Sequence, residues 1–321
     1  MLPRIFVGIR TQAAHLPDAS SAHLLALHEG LRLEARQLYE VGLNPADRSA
    51  DWREALTEAR KMIVRALRAS DCLQDVGAAL IVSGSHMTVF RHLMAPPTSQ
   101  DQFKLICNAW PKGSEKEGAK VDASRAKNVA DSFGEWRSPR LSPWLKSGRK
   151  PELREIYALI LATAPLIASQ RVATARRNRL AREQEQALIG LLTQNGWLQV
   201  AARTIDQQGA LRPKQFMHKA RFASGVTGRA EVDIALGLNG AVVLALECKV
   251  TNDETNSVKR INDVSKKAQA WRAHWGNFVQ PAALLQGVIK LSDVKRLLDE
   301  NIHVFWSHRL DLFDEWLIRQ L

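Results

Sequence analysis

The sequence predicts an α/β protein in which a mainly helical N-terminal region precedes a central mixed β-sheet flanked by helices. Three observations predict this class. Apolar residues at helical spacing dominate residues 1–110. Two apolar runs, 230–238 and 241–250, are joined by Asn239-Gly240, a strong signal for a β-hairpin. Strand-like and helix-like segments then alternate towards the C-terminus.

The N-terminal region reads as helices separated by turns. Residues 49–51 resemble the capped start of an amphipathic helix. Residues 96–99 end a second helix, and Ser99 is placed to cap a third. Residues 111–150 carry glycines, prolines and many charges, so we expect a loop-rich connector there.

The C-terminal region begins with a long helix over residues 171–195, for which Asn195-Gly196 is the stop signal. The hairpin and further elements follow. Besides the hairpin we expect a strand at 197–205, a helix at 258–275, a strand at 282–289, a helix at 292–300 and a strand at 302–307.

Charge and length limit the possible functions. The 321 residues suffice for about two domains. Lys and Arg number 45 against 33 Asp and Glu, which gives a net charge of +12. This excess favours a polyanionic partner, most often nucleic acid, although a basic surface without such a partner is the alternative.

Several classes of protein are not indicated. Cys72, Cys107 and Cys248 are far apart, so neither a disulfide framework nor a zinc site is expected. The apolar stretch 157–168 is too short to span a bilayer and contains Pro165, so we expect a cytoplasmic protein with no membrane segment.

The hairpin carries the most informative side chains, Asp233, Glu247 and Lys249. Strand residues alternate between faces, so Glu247 and Lys249 share one face, and pairing can bring Asp233 beside them. Two carboxylates and an ammonium on one face are unfavourable unless they bind a cation or perform chemistry. The alternative is an edge hairpin with a surface Glu–Lys pair.

This pattern resembles the PD-(D/E)XK nuclease core. The resemblance implies that Asp233 and Glu247 hold Mg²⁺ and that the backbone carbonyl of Cys248 is a further ligand. Lys249 would orient or deprotonate the attacking water, or stabilise the charge of the phosphorane. Glu185 falls on the apolar stripe of its helix and is a candidate metal ligand, whereas the alternative is a surface acid.

The polar loop after the second hairpin strand is a candidate DNA contact. Asn256 or Ser257 could cap the next helix, whose free N–H groups would hold a phosphate. Lys259 and Arg260 would reinforce that contact, and Asn252 and Asn256 are sized to contact adenine edges. An ordinary capped helix start is the alternative.

A further pattern is formed by residues 246–250, 256–260, Lys267, Trp271, 91–99, 143–145 with Arg149, Pro151, Arg154 and Glu155, and 184–185. In these residues the chain resembles XamI-type restriction endonucleases. The resemblance implies Mg²⁺-dependent cleavage of a short double-stranded DNA sequence by a homodimer. Such an enzyme needs a DNA methyltransferase that protects the same sites in the host.

These observations predict a type II restriction endonuclease. Residues 1–150, the helical region with its connector, would serve DNA binding or dimerisation, and residues 151–321 would form the catalytic core. The alternatives are a modification-dependent or repair nuclease on the same core and a non-catalytic DNA-binding protein. The intact Asp/Glu/Lys set argues against the last of these.

Overall fold

A computed structural model of the chain divides into two compact units. We call residues 44–175 the helical unit, and residues 176–321 with the described part of 1–43 the sheet unit. The division expected at residue 150 differs from this one: residues 151–175 belong to the helical unit, and the helix at Ser21–Val41 belongs to the sheet unit. The residues described are 21–43, 45–108, 110–111, 113–223 and 230–321.

The helical unit is built around buried aromatic side chains, among them Trp110 and Trp144. The indole N–H of Trp144 donates to the carbonyl of Cys72 at 2.8 Å, which satisfies its one polar group. The helices of this unit are α2 (Pro45–Ala69), α3 (Val76–Val82), α4 (Met87–His92), α5 (Gln100–Ile106), α6 (Ala123–Trp136) and the first part of α7 (Leu153–Gln194).

The cap of α5 is confirmed. The Ser99 hydroxyl accepts the N–H of Gln102 at 3.2 Å, and the Gln102 side chain accepts the Ser99 N–H at 2.8 Å. Another expectation is wrong, since helix α2 begins at Pro45, before residues 49–51. The expected connector is loop-rich at residues 113–122 and 137–150, but it also contains α6, which was not expected.

Helix α7 is longer than expected. It ends before Gly196, whose φ of +77° fits the predicted stop, but it begins at Leu153 and contains Pro165. By length and composition alone it is long enough and apolar enough to cross a membrane, contrary to the expectation for residues 157–168. However, Ile167 lies in the core of the helical unit and Leu188 in that of the sheet unit, as in a long helix of a globular protein.

The sheet unit contains a mixed sheet, as predicted. The strands are β1 (Leu198–Gln199), β2 (Thr204–Ile205), β3 (Gln215–Phe222), β4 (Ala230–Gly237), β5 (Val243–Thr251), β6 (Val279–Gly287) and β7 (His303–Trp306). β4 pairs antiparallel with both β3 and β5, whereas β6 pairs parallel with both β5 and β7. β1 and β2 both pair parallel with β3.

Helices cover both faces of this sheet, so the predicted class is confirmed. Alternate residues of β6 show the two faces: Ala283 and Leu285 pack in one apolar cluster, whereas Ala282 and Leu284 pack in another. The first cluster includes α1 (Ser21–Val41), α8 (Glu254–Trp275) and α9 (Leu291–Asp299), and the second includes the end of α7 and α10 (Leu310–Arg319).

The hairpin forms between β4 and β5, with Gly240 at a φ of +68° in its turn. The strand expected at 197–205 is instead the two short strands β1 and β2. In the sheet unit, β3 and α10 were not anticipated, and β3 carries residues of the candidate site.

Gly287 closes the β5–β6 ladder with a φ of +92°, and a Cβ there would overlap the carbonyl oxygen of Thr251. Gly287→Ala should therefore lower the free energy of unfolding by about 2 kcal/mol or more. Gly190 is the matched control, since it lies inside α7 with open space around its Cβ position. Gly190→Ala should raise stability by up to about 1 kcal/mol. Urea denaturation measures both changes in the free energy of unfolding. Equal effects of the two substitutions would contradict the close approach of Gly287 to Thr251.

Candidate active site

The candidate site lies where β4 and β5 separate. Their antiparallel ladder ends at the pair Ile234–Leu246, and Asp233 and Glu247 are the next residues on the two strands. Asp233 accepts the backbone N–H of Cys248 at 2.8 Å through its Oδ2 atom. The carboxylate thus takes up an N–H that is left where the ladder ends, and it is held at the opening between the strands.

Glu247 is a fully buried acid with two lysine partners. Its Oε2 atom lies 2.6 Å from Nζ of Lys249, and both its oxygens accept from Nζ of Lys267 at 2.8 and 2.9 Å. Lys249 also lies 3.3 Å from the Asp263 carboxylate. Lys267 and Asp263 are one turn apart on α8, so this helix supplies one partner to each residue of the Glu247–Lys249 pair.

Burial and charge act in opposite directions on this pair. Burial raises the pKa of Glu247 above its ordinary value and Asp233 adds to the effect, which the two lysines only partly offset. Burial also disfavours the charge of Lys249, but Glu247, Asp233 and Asp263 outweigh it and raise the pKa of the ammonium. The surrounding acids therefore favour the charged form of Lys249.

A second cluster forms on the other side of Asp233. The ammonium of Lys219 lies 2.7 Å from Oε1 of Glu185 and 2.5 Å from Oδ1 of Asp233. Nε2 of His218 lies 2.7 Å from the other Glu185 oxygen. Burial raises the pKa of Asp233, but Lys249, Lys219 and the Cys248 N–H outweigh it, and the pKa falls below its ordinary value.

Gln184 fixes the helix that carries Glu185. It is buried, and its amide group donates to the carbonyl of Leu284 at 3.0 Å and to the hydroxyl of Ser307 at 2.6 Å. Leu188, one turn after Gln184, packs in the apolar cluster that also contains Leu284. These contacts hold α7 against β6, and Glu185 consequently points towards β3 and β4.

The structure thus brings together the five predicted site residues Asp233, Glu247, Lys249, Cys248 and Glu185. Their catalytic and metal-binding roles stay predictions. The Cys248 side chain packs against the apolar cluster on the α7 face, and burial raises the pKa of its thiol well above the ordinary value. It is therefore a poor nucleophile, and only its backbone is a candidate ligand.

The start of α8 differs from the expectation. Its cap is Asp253, whose carboxylate accepts the backbone N–H of Asn256 at 2.8 Å and also the Asn256 side-chain amide. Ser257 is buried, and its hydroxyl donates to Asp293. The prediction that Asn256 or Ser257 caps this helix is wrong. Because an acid already occupies the helix start, a phosphate there would meet a negative charge.

The remaining predicted DNA contacts have different exposures. Asn252 and Lys259 are exposed, and Arg260 is half-buried. Asn256 is exposed but bound to Asp253, whereas the buried Ser257 does not present its side chain to a ligand. The structure therefore removes Ser257 from the candidate DNA contacts and leaves the other four accessible.

Sequence reasoning missed His218 and Lys219 because β3 does not keep a period of two. Phe216 packs on the α7 face, whereas Phe222, an even number of residues later, packs on the opposite face. The change occurs at Lys219, whose φ is +57°. The sequence signal for β3 was a run of apolar and basic residues at 215–222 without clear alternation.

The oxygen donors of the site fit a hard divalent cation. Carboxylate oxygens of Glu185 and Asp233 converge on one cationic group, the Lys219 ammonium. Mg²⁺ needs only one or two protein carboxylates, because it keeps several waters. Within the described ranges no group of three or more His, Cys, Asp or Glu side chains could hold a metal. A cation bound here would thus rely on few protein ligands and would compete with lysines.

The family of this chain follows from its similarity to known proteins. The family model described as XamI restriction endonuclease matches residues 71–306. This chain belongs to the XamI restriction endonuclease family. One curated relative, the type II restriction enzyme XamI of Xanthomonas campestris pv. amaranthicola, is 30% identical over 187 residues, which is 58% of this chain and 66% of the relative. The chain thus spans just under two thirds of that relative's length.

The XamI family match confirms the resemblance drawn from the sequence. It begins at Asp71 in the helical unit and ends at Trp306, the last residue of β7. It therefore includes the separation of β4 and β5 and all the charged residues around it. The mixed sheet, with its acids and lysine at the end of a paired segment, agrees with the predicted PD-(D/E)XK architecture.

Lys267→Met removes one of the two partners of the buried Glu247 carboxylate, and it should lower the free energy of unfolding at pH 8 by about 1–3 kcal/mol. Without Lys267 the raised pKa of Glu247 rises further. An acid whose pKa is raised by folding destabilises the folded state as the pH rises above its pKa in the unfolded chain. The stability that the variant loses relative to wild type should therefore shrink as the pH falls towards about 5.

Urea denaturation of wild type and variant at pH 8 and pH 5.5 measures this change. Lys266→Met is the control, because Lys266 is the exposed neighbour on the same helix and loses the same charge. A deficit that is equal at both pH values would show that Lys267 does not act through the ionisation of Glu247.

Proposed function

We propose that this chain is a type II restriction endonuclease that hydrolyses double-stranded DNA at a specific sequence. Membership of the XamI family supports the proposal, since a curated relative carries that name. The observation that carries it within the structure is the fully buried Glu247 carboxylate, which is paired with Lys249 next to Asp233. Buried charges of this kind are characteristic of catalytic sites.

The proposed metal ligands are Asp233, Glu247, the backbone carbonyl of Cys248 and Glu185. Their donors are all oxygen, which suits Mg²⁺. When bound, the cation supplies charge neutralisation at the scissile phosphate and the leaving oxygen. Glu185 enters this set because it shares a cationic partner with Asp233.

The proposed role of Lys249 follows from its position. Its ammonium lies between Glu247 and Asp263, and these acids raise its pKa and favour its charged form. As a hydrogen-bond donor it would orient the attacking water and stabilise negative charge on the phosphorane. The sequence left three roles open for Lys249. This position favours orientation of the water and stabilisation of the phosphorane charge over deprotonation of the water.

The proposed DNA contacts are Asn252, Asn256, Lys259 and Arg260. The lysine and arginine would contact phosphates without regard to sequence, and the asparagines would contact base edges. The net charge of +12 supports a polyanionic substrate. The cap carboxylate of Asp253 makes the helix start itself unsuitable for a phosphate.

The assembly and cellular setting are part of the proposal. A homodimer would match a palindromic site, with the helical region serving DNA binding or dimerisation. A DNA methyltransferase would protect the same sites in the host without being a stable subunit. The protein would act in the cytoplasm, where its DNA substrate is.

Purified protein with Mg²⁺ should cut unmethylated plasmid DNA into discrete fragments, and EDTA should stop the cleavage. Asp233→Asn, Glu247→Gln and Lys249→Met should each lower the cleavage rate by about 10³-fold or more, because each removes a charged group at the reacting phosphate. Gel electrophoresis gives the rates, and circular dichroism shows that the variants are folded.

Lys266→Met is the control and should cut at the wild-type rate, since Lys266 is an exposed residue of α8. Cleavage that persists after exhaustive chelation, or an active Lys249→Met, would remove the proposed mechanism. Cutting only of methylated DNA would instead favour a modification-dependent nuclease.

Glu185→Gln should lower kcat/KM by about 10–100-fold, as expected for a group that contacts or orients metal ligands. Glu183→Gln should change kcat/KM by less than about twofold, because Glu183 is exposed two residues earlier on the same helix. Steady-state cleavage of a short duplex compares the two variants. Equal, small effects would make Glu185 an ordinary surface acid.

A further inference from the structure

Lys219 occupies an unusual position between two acids. Its ammonium donates to Glu185 at 2.7 Å and to Asp233 at 2.5 Å, and thereby joins α7 to β4. The two carboxylate side chains are 14% and 15% exposed, whereas that of Lys219 is 39% exposed. The acids are therefore mostly buried, whereas the cation between them is partly open to solvent.

Lys219 holds this position in a backbone conformation that is unfavourable for lysine. Lys219 and Asp233 lie where the β3–β4 ladder is interrupted, between the pairs His218–Ile234 and Ala220–Val232. The φ of Lys219, +57°, belongs to the left-handed region, which is unfavourable for a residue with a Cβ. A strained residue beside the candidate site indicates a local requirement beyond strand pairing.

β4 changes its pattern at the same point. Val232 and Ile234 are two residues apart, yet they belong to apolar clusters on different faces of the sheet. Asp233 lies between them and accepts from Lys219. Both strands thus change faces where their ladder is interrupted, and the lysine and the acid are in contact there.

The other two lysines of the site bind a different acid. Lys249 and Lys267 both bind Glu247, and their side chains are 8% and 25% exposed. Of the three, Lys219 is the most exposed, and it alone bridges the acids Glu185 and Asp233 in the described part of the chain. It is the lysine that can leave with the least rearrangement of buried groups.

We propose that Lys219 is a built-in counter-cation, which occupies the cation position between Glu185 and Asp233 in the metal-free protein and leaves it when a divalent metal binds. This inference rests on the proposed metal-dependent nuclease function. Metal then binds only the fraction of molecules in which Lys219 has swung out, so the lysine lowers the apparent metal affinity. It also relieves the repulsion between the two acids before metal arrives.

The test measures metal binding without cleavage. Isothermal titration of Ca²⁺ into metal-free protein should show that Lys219→Met binds Ca²⁺ about tenfold more tightly than wild type, because no ammonium has to be displaced. Metal-free Lys219→Met should also have a lower Tm than metal-free wild type, and saturating Ca²⁺ should raise its Tm by more.

Lys214→Met is the matched control. Lys214 is an exposed lysine just before β3, it has a φ of +61°, and its replacement removes the same charge five residues away. Its Ca²⁺ affinity should stay within about twofold of wild type. Lys219→Gln is a second neutral variant with the same expectation as Lys219→Met, so the result does not depend on how well one variant folds.

The outcomes separate this inference from the proposed function. Loss of Ca²⁺ binding in Asp233→Asn, with equal or weaker binding by both Lys219 variants than by wild type, overturns the role of Lys219 alone. Absence of Ca²⁺ binding to wild type, or binding that Asp233→Asn leaves unchanged, overturns the proposed metal site and this inference together. Tighter binding by the Lys219 variants, lost when Asp233→Asn is added, supports both.

Discussion

The buried carboxylate of Glu247 is the constraint on which the arrangement of the sheet unit depends. A charge without solvent is strongly unfavourable unless it is paired, and removal of one partner leaves an uncompensated charge. Lys249 comes from the same strand, but Lys267 comes from α8, so this helix must pack on the Glu247 face in one register. The apolar cluster of Ile261, Val264 and Ala268 supplies the packing that holds it there.

The separation of β4 and β5 turns this constraint into a site. Because the ladder ends before Asp233, its carboxylate accepts a backbone N–H of β5 and stays at the opening. Gln184 anchors α7 on the opposite face and brings Glu185 to the same opening. Acids from three elements therefore converge, and lysines balance them. This concentration of buried charge lies within the region shared with the XamI family.

The acids of the site and the whole chain carry charge of opposite sign. A net charge of +12 attracts a polyanion over distances comparable to the Debye length, which favours encounter with DNA. The acids at the opening act locally, and they would repel a phosphate unless cations stand between them. A metal at Glu185 and Asp233 would provide that cation in the active enzyme, and Lys219 would provide it beforehand.

The sequence by itself determined the α/β class and the hairpin with Asp233, Glu247 and Lys249, since these depend on local periodicity and turn chemistry. It made Glu185 only a candidate for an inward-facing acid. The tertiary structure decided the rest. The roles of Lys219 and Lys267 depend on contacts between residues distant in the chain. The left-handed backbone of Lys219 breaks the alternation from which a strand is read. Local patterns report which face a residue prefers, and only the packed fold determines which charges meet.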